Sequence, residues 1–128
     1  MKISLPKSCE NAPRKKIVAD FTLDLLKQEQ KTISEYADLN IVLHFLHEKK
    51  IISGLPNLLE SLKEERENQI REVTVEHVIT HGNTAAINGQ IFFAEGGRLE
   101  FCDVYRFAST VKTAKIKEIK RYWIEQNF

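Results

Sequence analysis

Residues 99–107 read LEFCDVYRF, and the alternation in this stretch decides the fold. In an extended chain Leu99, Phe101, Asp103, Tyr105 and Phe107 fall on one side, and Glu100, Cys102, Val104 and Arg106 on the other. A period of two with one apolar, aromatic side predicts a strand with one buried face. Working outward, residues 84–93 form the strand before it and residues 115–125 the strand after it, with turns at Glu95-Gly96-Gly97 and at residues 109–113. Further upstream, Val73, Val75, His77 and Ile79 alternate with Glu72, Thr74, Glu76 and Thr80, which assigns the first four to one buried face. His81-Gly82-Asn83 supplies a turn, since Gly and Asn tolerate positive φ. Four strands joined by short turns predict an antiparallel meander.

The N-terminal half has the helical period instead. A helix starts at Asn11-Ala12-Pro13: Asn is a good N-cap, and Pro in the first turn lacks an N–H that would be unpaired there. Ile17, Phe21 and Leu25 recur at i, i+4 and i+8, with Val18 beside them. Thr32-Ile33-Ser34-Glu35 matches a capping box and opens a short helix to about Ala37. Residues 40–47, NIVLHFLH, read as a strand, followed by a short apolar piece at Ile51-Ile52. Ser53-Gly54-Leu55-Pro56 opens a third helix carrying Leu55, Leu58, Leu59 and Leu62 on one side. Residues 1–11 read as an extended N-terminal arm. Helices first and strands last indicate an α+β domain with helices on one face of a curved sheet. The 128 residues make one domain, residues 1–128.

Composition narrows the function classes. Nineteen Lys and Arg against eighteen Asp and Glu leave a net charge of +1, without the basic excess of a nucleic-acid binder. No apolar run reaches the length of a signal peptide or a membrane span. Cys9 and Cys102 are too few for a secreted disulfide framework, so both read as free thiols, Cys102 in the sheet and Cys9 in the arm. A cytoplasmic protein without membrane or nucleic-acid partners is expected.

Few residues point to chemistry. His44 and His47 are three apart, and His77 and His81 four apart. On strands the first spacing puts the rings on opposite faces and the second separates them by roughly 13 Å, so no metal is expected. Asp103 stands in the middle of the aromatic side of its strand. A carboxylate there must be hydrogen-bonded, paired, protonated or open to a pocket. It is either a structural acid satisfied by Tyr, Arg or backbone donors, or a pocket acid that touches a ligand. His44 is either a satisfied core residue or a partner of Asp103 in one cavity. Ile116 and Ile119 are an odd number apart, so burying both calls for a bulge or twist near Lys117-Glu118. If Ile119 faces inward, so do Arg121 and Trp123, and Arg121 can then pair with Asp103; if not, Tyr122 and Glu118 face inward.

The helix start NAPRK, the stretch from Asp38 through Ile52-Ser53-Gly54, and the final EFCDVYRF and IKEIKRYW together resemble the SnoaL-like branch of the nuclear transport factor 2-like superfamily, relatives of ketosteroid isomerases and polyketide cyclases. The resemblance spans nearly the whole chain. It implies a conical half-barrel: three N-terminal helices packed on a strongly curved mixed sheet, with a pocket at the open end. Cys102-Asp103-Val104-Tyr105-Arg106-Phe107 resembles the context of the isomerases' oxyanion-hole Asp. The isomerase base falls near His44, a different residue type, and the isomerase Tyr near Asp20 or Phe21, where there is no hydroxyl. Steroid isomerisation as such is not implied. The resemblance implies an apolar pocket for a small organic molecule, carbonyl-bearing or aromatic, with Asp103 and His44 as the catalytic pair of an isomerase- or cyclase-type acid–base reaction. Phe21, Phe101, Tyr105, Arg121 and Trp123 would line the pocket, and no cofactor is called for. It also implies a homodimer through the outer face of the sheet, with Thr74, Val104, Ala85 and Ile87 on that face. The alternative is a ligand-binding or homodimeric interaction module without turnover.

Overall fold

The structure, a computed structural model, describes residues 1–7, 12–64 and 69–126. The elements run β1 (Lys2–Ser4), α1 (Pro13–Lys27), α2 (Lys31–Tyr36), β2 (Ala37–Phe45), β3 (Lys50–Ser53), α3 (Leu55–Ser61), β4 (Ile70–His81), β5 (Thr84–Phe93), β6 (Arg98–Phe107) and β7 (Ile116–Gln126). The seven strands form one sheet in the order β1-β4-β5-β6-β7-β2-β3. The antiparallel meander expected from the sequence is β4 to β7. It is flanked by two parallel pairings, β1 on β4 and β2 on β7, so the sheet is mixed. Among the described residues no helix is long and apolar enough to cross a membrane.

The conical half-barrel is corrected by this topology. Three helices do pack on a mixed sheet, but the sheet is open and not strongly curled. Its edges are β1, of three residues, and β3, of four, and they do not pair with each other. Closure needs edges long enough to share a ladder, and these are too short for it. Edges this short also offer little template for pairing with a foreign strand. Within the expected arm, residues 2–4 form an edge strand on β4, while the expected N-cap Asn11 and the thiol Cys9 lie outside the described residues.

The helices cover one face. α1 begins with Pro13 at its first position and ends at Gln28, whose left-handed conformation (φ 61°) lets its N–H reach the carbonyls of Asp24 and Leu25. The Arg14 guanidinium lies over the Phe107 ring at 4.2 Å and donates to the carbonyls of Gly82, Ser109 and Val111, so the start of α1 is clamped to two loops of the sheet. Val18, Phe21 and Leu26 are fully buried against the sheet. Thr22 donates to the Val18 carbonyl at 2.8 Å. Its only hydroxyl proton is then used, so in the 2.5 Å contact between Thr22 and Tyr105 it is Tyr105 that donates. Burial pushes the Tyr105 phenol far up, which keeps that donor protonated. The capping box is replaced by a different device. α2 starts two residues earlier than a Thr32 cap would have it, with Gln30 at the N-cap, and the Asp24 carboxylate on α1 accepts from both the N–H (3.0 Å) and the hydroxyl (2.5 Å) of Thr32.

Two bulges set which residues face the helices. In β4 the register slips between Val75 and His77, so Val73 and Val75 point inward, Val78 continues the core, and His77 and Ile79 turn to the outer face. This reverses the sequence expectation for His77 and Ile79. In β6–β7 the slip lies between the pairs Arg106–Glu118 and Phe107–Ile116, leaving Lys117 as the extra residue. Ile116 and Ile119 are thereby both fully buried, as the bulge near Lys117-Glu118 requires. Ala85 and Ile87 are also buried on the inner face, a correction to their expected outer placement; Thr74 and Val104 are half-buried on the outer face.

Gly89 sits where β4 bulges across β5. A Cβ built on it would stand 1.9 Å from the Thr74 carbonyl oxygen, a contact with backbone that no side-chain motion relieves. Gly89→Ala is therefore expected to cost about 2–4 kcal/mol by forcing the bulge open. Urea denaturation checks this, and a loss within the ~0.5 kcal/mol of an ordinary surface substitution would contradict the packing described.

Candidate functional site

Asp103 on β6 and Arg121 on β7 are direct partners in the antiparallel register, and both side chains face the helices. Arg121 Nε donates to both carboxylate oxygens at 3.0 Å, and Nη2 to Oδ2 at 2.8 Å. The pair is sealed, with Asp103 0% and Arg121 2% exposed. Both carboxylate oxygens of Asp103 are thus engaged as acceptors by one guanidinium in a bidentate pair. The structural alternative from the sequence is the one realised here. The Arg121 guanidinium carbon lies 5.3 Å from the Phe45 ring centroid and 4.8 Å from that of Trp123. These two rings meet edge to face at 5.9 Å, and His47 stacks on Trp123 at 5.4 Å.

Arg121 and Trp123 form part of the wall of a cleft of about 250 Å³. The C-terminal end of α1 contributes Leu25, Leu26 and Gln28; α3 contributes Leu58 and Ser61; β2 contributes Leu43 and Phe45; and Ile52 comes from β3. Gln28 also donates through Nε2 to the Glu64 carbonyl, tying the end of α1 to the segment after α3 across this opening. The interior is aliphatic and aromatic, while Glu48, Lys50 and Glu64 are exposed at its rim. Trp123 Nε1 is itself buried and has no hydrogen-bond partner among the described residues.

The remaining sequence candidates are elsewhere. Phe21, Phe101 and Tyr105 do not line the cleft; Phe21 and Tyr105 pack edge to face at 5.9 Å in the core beneath α1. His44 is not brought to Asp103. On β2 the neighbours Leu43 and Phe45 face the cleft, so His44 points to the opposite face. There its Nε2 lies 3.0 Å from Glu118 Oε2, and Arg106 Nε approaches Glu118 Oε1 at 3.6 Å. Burial alone would raise the Glu118 carboxyl, but the His44 hydrogen bond and the charges of Arg106, His44 and Lys120 outweigh it and hold the group below its usual range. Cys102 is a free, half-buried thiol on the outer face, pushed up by burial and by the Asp103 charge. Among the described residues no group of three His, Cys, Asp or Glu side chains is placed to hold a metal ion. Sequence reasoning missed the contribution of Leu43, Phe45 and His47. The alternation in NIVLHFLH was the available signal, since placing Leu43 and Phe45 inward turns His44 outward.

Removing one member of a buried pair leaves the other charge uncompensated. Asp103→Asn is expected to destabilise the fold by about 3–5 kcal/mol, and the double replacement Asp103→Leu with Arg121→Met to recover most of that. Thermal and urea unfolding of the three proteins check this. An Asp103→Asn protein as stable as the parent would mean the pair does not hold the sheet.

No protein-family model and no curated protein sequence matches the chain. Solved structures do. An NTF2-like protein of unknown function from Burkholderia xenovorans superposes with a TM-score of 0.71 at 12% identity, over 91% of this chain and 86% of that one. A protein assigned as a ketosteroid isomerase from Kribbella flavida gives 0.70 at 14% identity, over 91% and 81%. One assigned as a SnoaL-like polyketide cyclase from Shewanella denitrificans gives 0.70 at 14% identity, over 88% and 92%. At these identities the likeness is one of fold: the chain shares the α+β fold of these structures.

Proposed function

We propose that this chain is a cytosolic binding protein of the SnoaL-like branch that holds one small organic molecule, carbonyl-bearing or aromatic, in the cleft beside Arg121 and Trp123. The observation that carries this reading is the cleft itself: about 250 Å³ of mainly apolar wall that includes the Phe45 and Trp123 side chains. A dry cavity of about 150 Å³ already accommodates benzene, so a somewhat larger ring system matches the space. The fold likeness to structures named for ketosteroid and polyketide chemistry supports the carbonyl class. The acid–base version has less support, because Asp103 is tied to Arg121 and His44 lies on the other face. Binding without turnover is the reading the geometry favours.

Trp123 is the chain's only tryptophan, so its emission reports on the cleft. 1-Tetralone is expected to change that emission saturably, and Ser61→Phe, which adds a ring to the cleft wall, to abolish the saturation. A linear response, equal in both proteins, would overturn the reading.

A second reading rests on the outer face and does not compete with the first. Ile79 is 62% exposed, Tyr122 45% and Ile124 65%, and together with Ala86 and Cys102 they line one shallow hollow. We propose that a second copy of the chain covers this face, as an isologous dimer would. Ile124→Glu puts a charge into that contact. Sedimentation at micromolar concentration should show twice the 14.8 kDa chain mass for the parent and the single mass for the variant. A monomeric parent would refute the dimer.

A further inference from the structure

The hairpin that joins β5 to β6 bounds a second hollow, of about 360 Å³. Among the described residues its ionisable lining is two arginines, Arg71 from β4 and Arg98 from β6. Both flank one ring: the Arg71 guanidinium carbon lies 5.8 Å from the Phe92 centroid, and Arg98 is the residue opposite Phe92 in the β5–β6 register. Arg98 Nη2 donates to Gln126 Oε1 at 2.5 Å, which braces that guanidinium against β7. Arg71 is held more loosely. Its Nη1 stands 3.9 Å from Glu72 Oε1, too far for a hydrogen bond, and its side chain is 60% exposed.

The wall of this hollow is positive, and a guanidinium fork matches a carboxylate in both shape and charge. Glu72 and Glu95 stand beside the hollow without lining it, which disfavours a dianion such as a phosphate monoester more than a monoanion. Phe92 and Phe93 supply an aromatic wall for the body of a ligand. Gly96 and Gly97 both have positive φ (94° and 89°), and a Cβ on either would meet nothing within 4 Å. The turn therefore presents bare backbone on its open side, where a ligand can approach closely. Phe93 is the one lining residue that the hollow shares with the cleft beside Arg121, so the two spaces draw on separate charged groups.

We propose that the hollow at the β5–β6 hairpin is a binding site for the carboxylate of a small aromatic acid, separate from the cleft and independent of its occupancy. Arg98, braced by Gln126, is the fixed charge of the site, and Arg71, exposed and lightly held, is the contact that the ligand recruits.

The chain has five glycines, so the backbone amides of Gly96 and Gly97 are readily followed by heteronuclear NMR. Three probes are titrated into the intact protein: benzoate, its neutral isostere benzamide, and acetate, which keeps the charge without the ring. Benzoate is expected to shift both glycine signals saturably and to bind about three- to tenfold tighter than either of the others, the worth of a half-exposed charge-assisted contact. Arg71→Gln should bring benzoate down to the affinity of benzamide. Lys112→Gln, which removes an exposed charge elsewhere, should leave it unchanged, and so should Ser61→Phe, which obstructs the cleft. Benzamide matching benzoate, an equal loss in Lys112→Gln, or no shift at either glycine would overturn the site and leave the cleft reading intact. Loss of benzoate binding in Ser61→Phe would overturn it as well, by placing the acid in the cleft.

Discussion

The buried ion pair between Asp103 and Arg121 is the constraint around which the rest of the structure is arranged. A guanidinium taken out of water is tolerable only with its hydrogen bonds satisfied in good geometry, and Asp103 supplies three of them. That requires β6 and β7 to hold one register, because a slip of one residue would carry one partner to the opposite face. It also requires aromatic cover: Phe45 reaches Arg121 from β2 and Trp123 from β7. Since β2 joins the sheet as the parallel neighbour of β7, the pair couples the helical N-terminal half of the sequence to the meander. A purely apolar contact at this point would hold the strands together but would tolerate register shifts that the ion pair penalises.

The bulges show how one sequence serves two sheet faces. Without the slip in β4, His77 and Ile79 would follow Val73 and Val75 into the core, as strict alternation predicts. With it, Val78 takes the core position and Ile79 joins Tyr122 and Ile124 outside. The signal for this bulge was present but hard to read. Gly89 looks like any small strand residue until the Thr74 carbonyl is found pressing against it. The β7 bulge was legible because Ile116 and Ile119 could not both be buried otherwise. Opposing parity in a strand is visible from one sequence, whereas a glycine's reason for being a glycine lies on the neighbouring strand.

The same distinction governs the site. Element order and the meander followed from local periodicity, whereas the inward turn of Arg121 and Trp123 was one of two alternatives it left open. Placing His44 beside Asp103 did not follow from it, and the alternation around Leu43 and Phe45 argued against it. That pairing was one of two alternatives for a lone His on an apolar strand, and the family resemblance, which carries a motif's context more readily than its partners, favoured it. Whether the sheet curls was likewise beyond local pattern, because curvature depends on bulge positions and on the lengths of the two edge strands. The capping of α2 by Asp24 is a third instance: the Thr-x-x-Glu motif is present, but a carboxylate eight residues upstream reaches the Thr32 donors first.

The division between the faces also bears on an acid in so suggestive a context. Both oxygens of the Asp103 carboxylate are taken up by Arg121, and His44 lies on the other face beside Glu118. A bidentate guanidinium fixes a carboxylate in orientation as well as in place. The residue that resembles a catalytic acid thus orients a neighbour, Arg121, whose side chain forms part of the cleft wall. Chemistry at Asp103 would need Arg121 withdrawn, and withdrawing it would unlock the register on which the sheet relies.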